Sequence, residues 1–184
     1  MSYEVLSDFE FYSKVPTEVI EKYKDKIPPE LLDIWLEYGF GTFAGGYIKI
    51  INPDDYMETL EESYFNAHVA IPIFVTGFAD IITWEKDDDV CLVNYRKSKS
   101  PLYPFTFDDF LTDFNSSQED DVAQLLDNLQ YGEAVNLAGK LEYDECFGYV
   151  PLLALGGSEK VDNLHKMKII PHIGLITELA GRIQ

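Results

Sequence analysis

The sequence is short of positive charge. Its 184 residues carry 14 Lys plus Arg against 33 Asp plus Glu, a formal net charge of −19. Residues 100–139 contain no Lys, Arg or His, yet hold Asp108, Asp109, Asp113, Glu119, Asp120, Asp121, Asp127 and Glu133. Residues 50–85 likewise lack Lys and Arg and hold seven acids. Such a surface repels phosphates over roughly a Debye length, about 8–10 Å in physiological salt. That argues against DNA, RNA and anionic membranes as direct partners. A basic protein is attracted and associates faster. Plain solubility explains an acidic surface equally well, so charge alone leaves both readings open.

Other absences narrow the field further. Only two cysteines occur, Cys91 and Cys146, far apart and outside any CxxC pattern, so reduced, partly buried thiols are expected. No apolar run reaches the roughly 18 residues of a membrane-spanning helix. Residues 1–10 place acids where a signal peptide carries cations and an apolar stretch, and a cytoplasmic protein is expected. The three histidines, His68, His165 and His172, form neither HxxxH nor HExxH. His165 and His172 can be joined to Asp144 and Glu145 as a metal set only on paper. Asp87, Asp88 and Asp89 lack the spacing of a calcium loop and read as a solvated turn. Glu61 with Glu62, and Asp54 with Asp55, read as dipole partners and solvated helix faces, not as an acid–base pair. Neither cysteine has a neighbouring His to activate it. No catalytic residue, cofactor or metal is expected, and the protein is read as a non-enzyme.

What is present is material for a core: 46% of the residues are hydrophobic, and aromatics make up 14% of the whole sequence. A chain of this length can bury about 70% of the surface its unfolded form exposes, as one domain or two small packed ones. Helical spacing runs through residues 17–26, with Val19, Ile20, Tyr23 and Ile27 on one face. Pro29 opens a second helix, where its missing N–H costs nothing. Leu31, Ile34, Trp35 and Tyr38 face inward there, and Gly39 stops it. Asn52 caps a third helix with Pro53 at its first position, Asp54 and Asp55 in its first turn, and Tyr56, Met57, Leu60 and Tyr64 as its apolar face.

Residues 47–51, 71–75, 78–84 and 90–95 are rich in β-branched and aromatic side chains and read as strands. The short charged connection 85–89 makes the last two a hairpin and the sheet antiparallel. Residues 102–105 add a candidate edge strand limited by Pro101 and Pro104. Ser116 and Glu119 form a capping box before Val122, Leu125, Leu126 and Leu129. A helix over 131–138 presents Ala134, Leu137 and Ala138, with Gly139 as its stop. Short strands and turns fill 140–163. A closing helix over 171–183 turns Leu175, Ile176, Leu179 and Ile183 inward. The order is helices, sheet, helices, a short β segment and a last helix. That is an α+β chain: an antiparallel or mixed central sheet flanked by helices, with a smaller C-terminal α+β part packed on it.

One stretch raises a specific question. In GYVPLLALGG, residues 148–157, an apolar run ends in two glycines followed by Ser158, Glu159 and Lys160. A phosphate-binding P-loop needs G-x-x-x-x-G-K-[ST] and a helix start behind it. Neither is here, and Glu159 would face the phosphate. The glycines instead permit a tight turn between two short strands.

Several stretches together resemble a known family. KYKDKIPPELLDIWLEYGFGTFAGGYIKIINPDDY, residues 22–56, is similar to the GAD-like domain in its P-x-E-L-L-x-x-W helix, Y-G-F-G stop, G-Y-I-K-I strand and N-P-D-D-Y helix start. IPIFVTGFADIITWE, residues 71–85, resembles that domain's next block, where the family pattern has glycine in place of Ala79. GKLEYDECFGYVPLLALGGSEKVDNLHKMKI, residues 139–169, is similar to the C-terminal domain that accompanies it in type VI secretion immunity proteins. The resemblance implies two parts, 1–108 and 109–184, packed as one unit. It also implies a cytoplasmic immunity protein, or antitoxin, that binds one cognate toxin, often a DNase in this arrangement. An acidic protein suits that role as a cover for a basic nucleic-acid site. The motif residues are expected to hold the fold. Toxin contacts are expected first at Asp87, Asp88 and Asp89, then at Glu119, Asp120 and Asp121. The competing reading is a non-catalytic regulatory or scaffold module that reuses the fold; an enzyme built on the C-terminal acids and histidines is the weakest.

Overall fold

A short 3₁₀ turn (Glu4–Leu6) precedes the first strand, β1 (Glu10–Ser13), which is followed by a pair of short helices, α1 (Thr17–Tyr23) and α2 (Pro29–Glu37). The computed structural model describes residues 3–85, 89–99, 106–113 and 129–184. Proline sets the first position of α2, as the sequence predicts, and Leu31, Ile34 and Trp35 are buried beneath it while Tyr38 is half-buried. Next come β2 (Phe40–Phe43) and β3 (Ile48–Ile50). α3 (Pro53–Ser63) opens with the expected cap: the Asn52 side-chain oxygen accepts the Asp54 N–H at 3.1 Å. The Asp54 carboxylate in turn accepts from the Tyr23 hydroxyl at 2.6 Å and from the Lys22 ammonium, which ties α3 to α1.

β4 (Ile71–Thr76), β5 (Ile81–Glu85) and β6 (Asp89–Val93) complete a six-stranded antiparallel meander in the order β1-β2-β3-β4-β5-β6. Successive side chains alternate between its faces. Phe74 and Ile82 join one apolar cluster with α1, α2 and α4 (Phe107–Asp113); Val75 and Ile81 join a second with α3. The strand expected over 78–84 begins later, at Ile81, because residues 77–80 make the turn. Ala79 takes a left-handed φ of +65° there, a conformation that glycine adopts without cost. The glycine of the family pattern at this position therefore has a conformational reason.

α5 (Leu129–Ala138), β7 (Glu145–Tyr149), β8 (Leu164–Lys168) and α6 (Ile169–Ala180) form the C-terminal part, with β7 and β8 paired as a separate antiparallel ribbon. Two expected faces are corrected. In α5 Tyr131 and Ala134 are buried, whereas Leu137 is exposed. In α6 the buried stripe is Ile169, His172, Ile173 and Ile176, and Leu175 and Leu179 point outward. The helix starts two residues earlier than its proline indicates and ends at Ala180. Ile183 is still buried, but as extended chain: its N–H donates to Ser63 O at 2.8 Å and its carbonyl accepts the Phe65 N–H at 2.9 Å. The candidate strand 102–105 and the capping box at Ser116 lie outside the described residues.

The two parts meet through both backbone and side chains. The Phe147 N–H donates to Gly77 O at 2.7 Å, and the Tyr143 hydroxyl to Ile50 O at 2.6 Å. The Tyr131 ring packs edge-on against Tyr47 and Phe78, with centroids 5.0 and 6.2 Å away. α6 lies against α3, so each apolar cluster contains residues of both parts.

Candidate functional site

Of the six acids singled out in the sequence, Asp89 alone is placed: Asp87, Asp88, Glu119, Asp120 and Asp121 lie outside the described residues. Asp89 opens β6, pairs with Glu85 across the hairpin and is half-buried. One residue earlier on β5, Trp84 pairs with Val90 and turns its ring edge-on to Phe107, centroids 6.3 Å apart.

Trp84 and Phe107 line a cleft of about 400 Å³ between the α1–α2 connection and the start of α4. Asp25, Glu30 and Asp108 stand around it, all exposed, with Lys26 as the opposing charge. The Lys26 ammonium lies 5.8 Å from the Tyr23 ring centroid. Three carboxylates around a half-buried indole suit a Lys or Arg side chain, by ion pairing at the rim and cation–π contact within. No local signal in the sequence marks this cleft. Its acids come from three separate elements, and only the tertiary fold collects them.

The buried polar groups serve the fold. Asp80 and Arg96 form an ion pair at 3.3 Å with both side chains inside, the Asp80 carboxylate also accepts the Arg96 N–H at 3.0 Å, and the guanidinium sits 4.3 Å from the Phe78 ring centroid. Lys49 is buried on β3 and donates to Glu142 O at 3.1 Å; burial pulls its pKa down to about 8. Burial pushes the Cys146 thiol up to about 12, with the Lys49 charge opposing, and pushes Cys91 to about 12 with Glu85 adding to the effect. Both thiols are therefore protonated at neutral pH, the opposite of an activated nucleophile.

The paper metal set does not assemble. Asp144 and Glu145 both face the Lys168 ammonium, at 2.7 and 3.7 Å, His165 is exposed, and His172 is buried. Among the described residues no group of three or more His, Cys, Asp or Glu is close enough to hold a metal ion.

GYVPLLALGG proves to be a packing device. Gly148 lies on β7 against the His172 ring; a Cβ there would come within 2.5 Å of it. Gly156 is left-handed, φ +85°, and ends a short 3₁₀ turn. A Cβ on Gly157 would sit 2.0 Å from Pro151 O. Glu159 pairs with Lys97 at 3.0 Å, and so fastens this loop to the N-terminal part. The glycines do make a turn between two strands, but through a 3₁₀ segment in place of a two-residue hairpin.

Comparison with known proteins adds the following. Residues 3–95 match the GAD-like domain, and residues 105–180 match the C-terminal domain of the T6SS immunity protein Tdi1. No match is found among curated proteins. Among solved structures, the crystal structure of Atu4351 from Agrobacterium tumefaciens superposes with a TM-score of 0.75 over 96% of this chain and 89% of that one, at 17% identity. At that identity the likeness is one of fold.

Proposed function

The chain belongs to the GAD-like domain family and carries the C-terminal domain of a type VI secretion immunity protein, and from that premise we propose that it neutralises one cognate toxin by binding it, without catalysis of its own. The observation that carries this reading is the C-terminal match, because that family is one of immunity proteins. The charge distribution supports a basic toxin: the net charge is −19, and the cleft at Trp84 presents Asp25, Glu30 and Asp108 together. A nuclease has the required basic surface, since it must hold phosphates, and carboxylates placed over that surface compete with nucleic acid for it. Neutralisation is then steric and electrostatic occlusion. Among the described residues no helix is long and apolar enough to cross a membrane; we place the protein in the cytoplasm, where a nuclease toxin meets its substrate.

The test is co-expression with the product of the adjacent gene. The reading expects toxicity of that product alone, restored growth when both are made, and a complex that purifies through a tag on either protein. Growth that stays arrested with both proteins expressed and soluble contradicts it.

A further inference from the structure

We infer that the cleft at Trp84 takes one arginine side chain of the toxin and holds it as an anchor of the complex, an inference that rests on the toxin-binding reading above. The charge that matters is the cleft's own. Asp25, Glu30 and Asp108 line it with a single ammonium, that of Lys26. The two lysines just before Lys26 are engaged elsewhere, Lys22 with Asp54 and Lys24 with Glu21 at 2.6 Å. Two helix starts also open here, α2 at Pro29 and α4 at Phe107, and each adds about half a positive charge. Three carboxylates against one ammonium and two such half charges leave the cleft about one charge negative. Asp109, the next residue of α4 and also exposed, adds to that. The helix starts do not make an anion site. Pro28 and Pro29 carry no N–H, Glu30 and Asp108 stand in the two first turns, and the Thr106 hydroxyl oxygen accepts the Asp109 N–H at 3.1 Å.

The walls choose among cations. Ile27, Pro28 and Phe107 are buried, and Trp84 is half-buried beside them. The contact with Phe107, at 88° between ring planes, fixes the orientation of the indole. Among the described residues no cation lies over that indole, since Lys26 approaches the Tyr23 ring instead. A guanidinium stacks on an indole while its N–H fork reaches carboxylates. It is also more weakly hydrated than an ammonium, so it enters a half-apolar cleft more readily than a lysine head does. A volume of about 400 Å³ admits the whole side chain.

The arginine comes from another protein. This chain has two, Arg96 and Arg182. Arg96 is buried with Asp80, and Arg182 donates to the Glu61 and Tyr64 carbonyls. A second copy therefore offers no arginine without losing a contact of its own fold. A basic toxin offers one directly, because arginine is the side chain best suited to phosphate and nucleic acid. An arginine seated here is paired with carboxylates and withdrawn from nucleic acid in one step.

The experiment uses nitrogen-15-labelled protein and the purified, unlabelled product of the adjacent gene. The chain has two tryptophans, so its indole N–H region holds two signals and those of the partner are silent. The Trp84 signal is expected to move in the complex. Glu30→Gln combined with Asp108→Asn, and separately Trp84→Leu, are each expected to lower affinity about tenfold or more. Melting temperature reports whether each variant is folded, and the carboxamide pair, at two exposed positions, keeps the test decisive where Trp84→Leu is not. Phenylglyoxal, which modifies arginine, should spare at least one partner arginine in the complex. Changing that arginine to alanine should weaken binding to wild type and add no further loss in the carboxamide variant. Binding by wild type with an unmoved Trp84 signal and unchanged affinity in the carboxamide variant overturns this inference alone. Protection of partner lysines but of no arginine also overturns it. No binding by wild type overturns the toxin-binding reading and this inference with it.

Discussion

Trp35 joins the helical layer to the sheet: its ring meets Tyr23 and Phe40 edge-on at 6.3 and 5.7 Å, and it is almost fully buried. Its i, i+4 relation to Leu31 is enough to read this from the sequence. Trp35→Ala is expected to cost about 3–5 kcal/mol in denaturant unfolding; an unchanged midpoint would put the ring outside the core. His172 was not legible in the same way. Nothing local marks one histidine of three as buried. It is buried because Gly148, from a strand 24 positions earlier, leaves room for its ring. Burial pulls the His172 pKa down to about 4. The unfolded chain binds this proton near pH 6.5, so folding stability from this group is complete above pH 6.5 and is lost as pH falls toward 4. His172→Asn is expected to flatten the fall in stability between pH 7 and 4.5, by up to about 3 kcal/mol relative to wild type. Parallel pH curves for the two proteins would show that the ring is solvated.

Elements were legible where chemistry marks their ends. Pro29, Pro53 and Asn52 announce two helix starts, and the hairpin through residues 85–89 pairs in the register its short connection requires. Faces failed where apolar residues surround a helix. In α6 Leu175 and Leu179 compete with Ile169, Ile173 and Ile176 for the inside, and only the positions of α3 and the β7–β8 ribbon decide between them. The acidic segments pose the functional question at this scale. Exposed charges set mainly the association rate and its salt dependence, whereas buried anchors set dissociation. Replacing Asp87, Asp88 and Asp89, or Glu119, Asp120 and Asp121, by Ser and Asn should therefore slow stopped-flow association with the toxin at low salt and weaken its response to salt. Wild-type rates in both variants would make these carboxylates plain solvated surface and move attention to the cleft at Trp84.

At the scale of the whole molecule, the order of elements reveals the α+β class, but the joint between the parts is invisible in sequence. It is made by pairs such as Phe147 with Gly77 and Tyr143 with Ile50, which no local pattern couples. Because both apolar clusters draw on both parts, we expect one cooperative thermal transition for the full chain. Two separated transitions would show parts that fold alone. The same joint offers a reason for the two matched families to occur in one chain: Lys97, just past the first matched segment, and Glu159, within the second, form an ion pair across it.

The most direct measurement is a calorimetric titration of the purified protein with the purified product of the adjacent gene, at low and at high salt. The account predicts saturable binding that weakens by about tenfold or more as salt screens the acidic surface. Absence of binding at low salt, with both proteins folded, would contradict it.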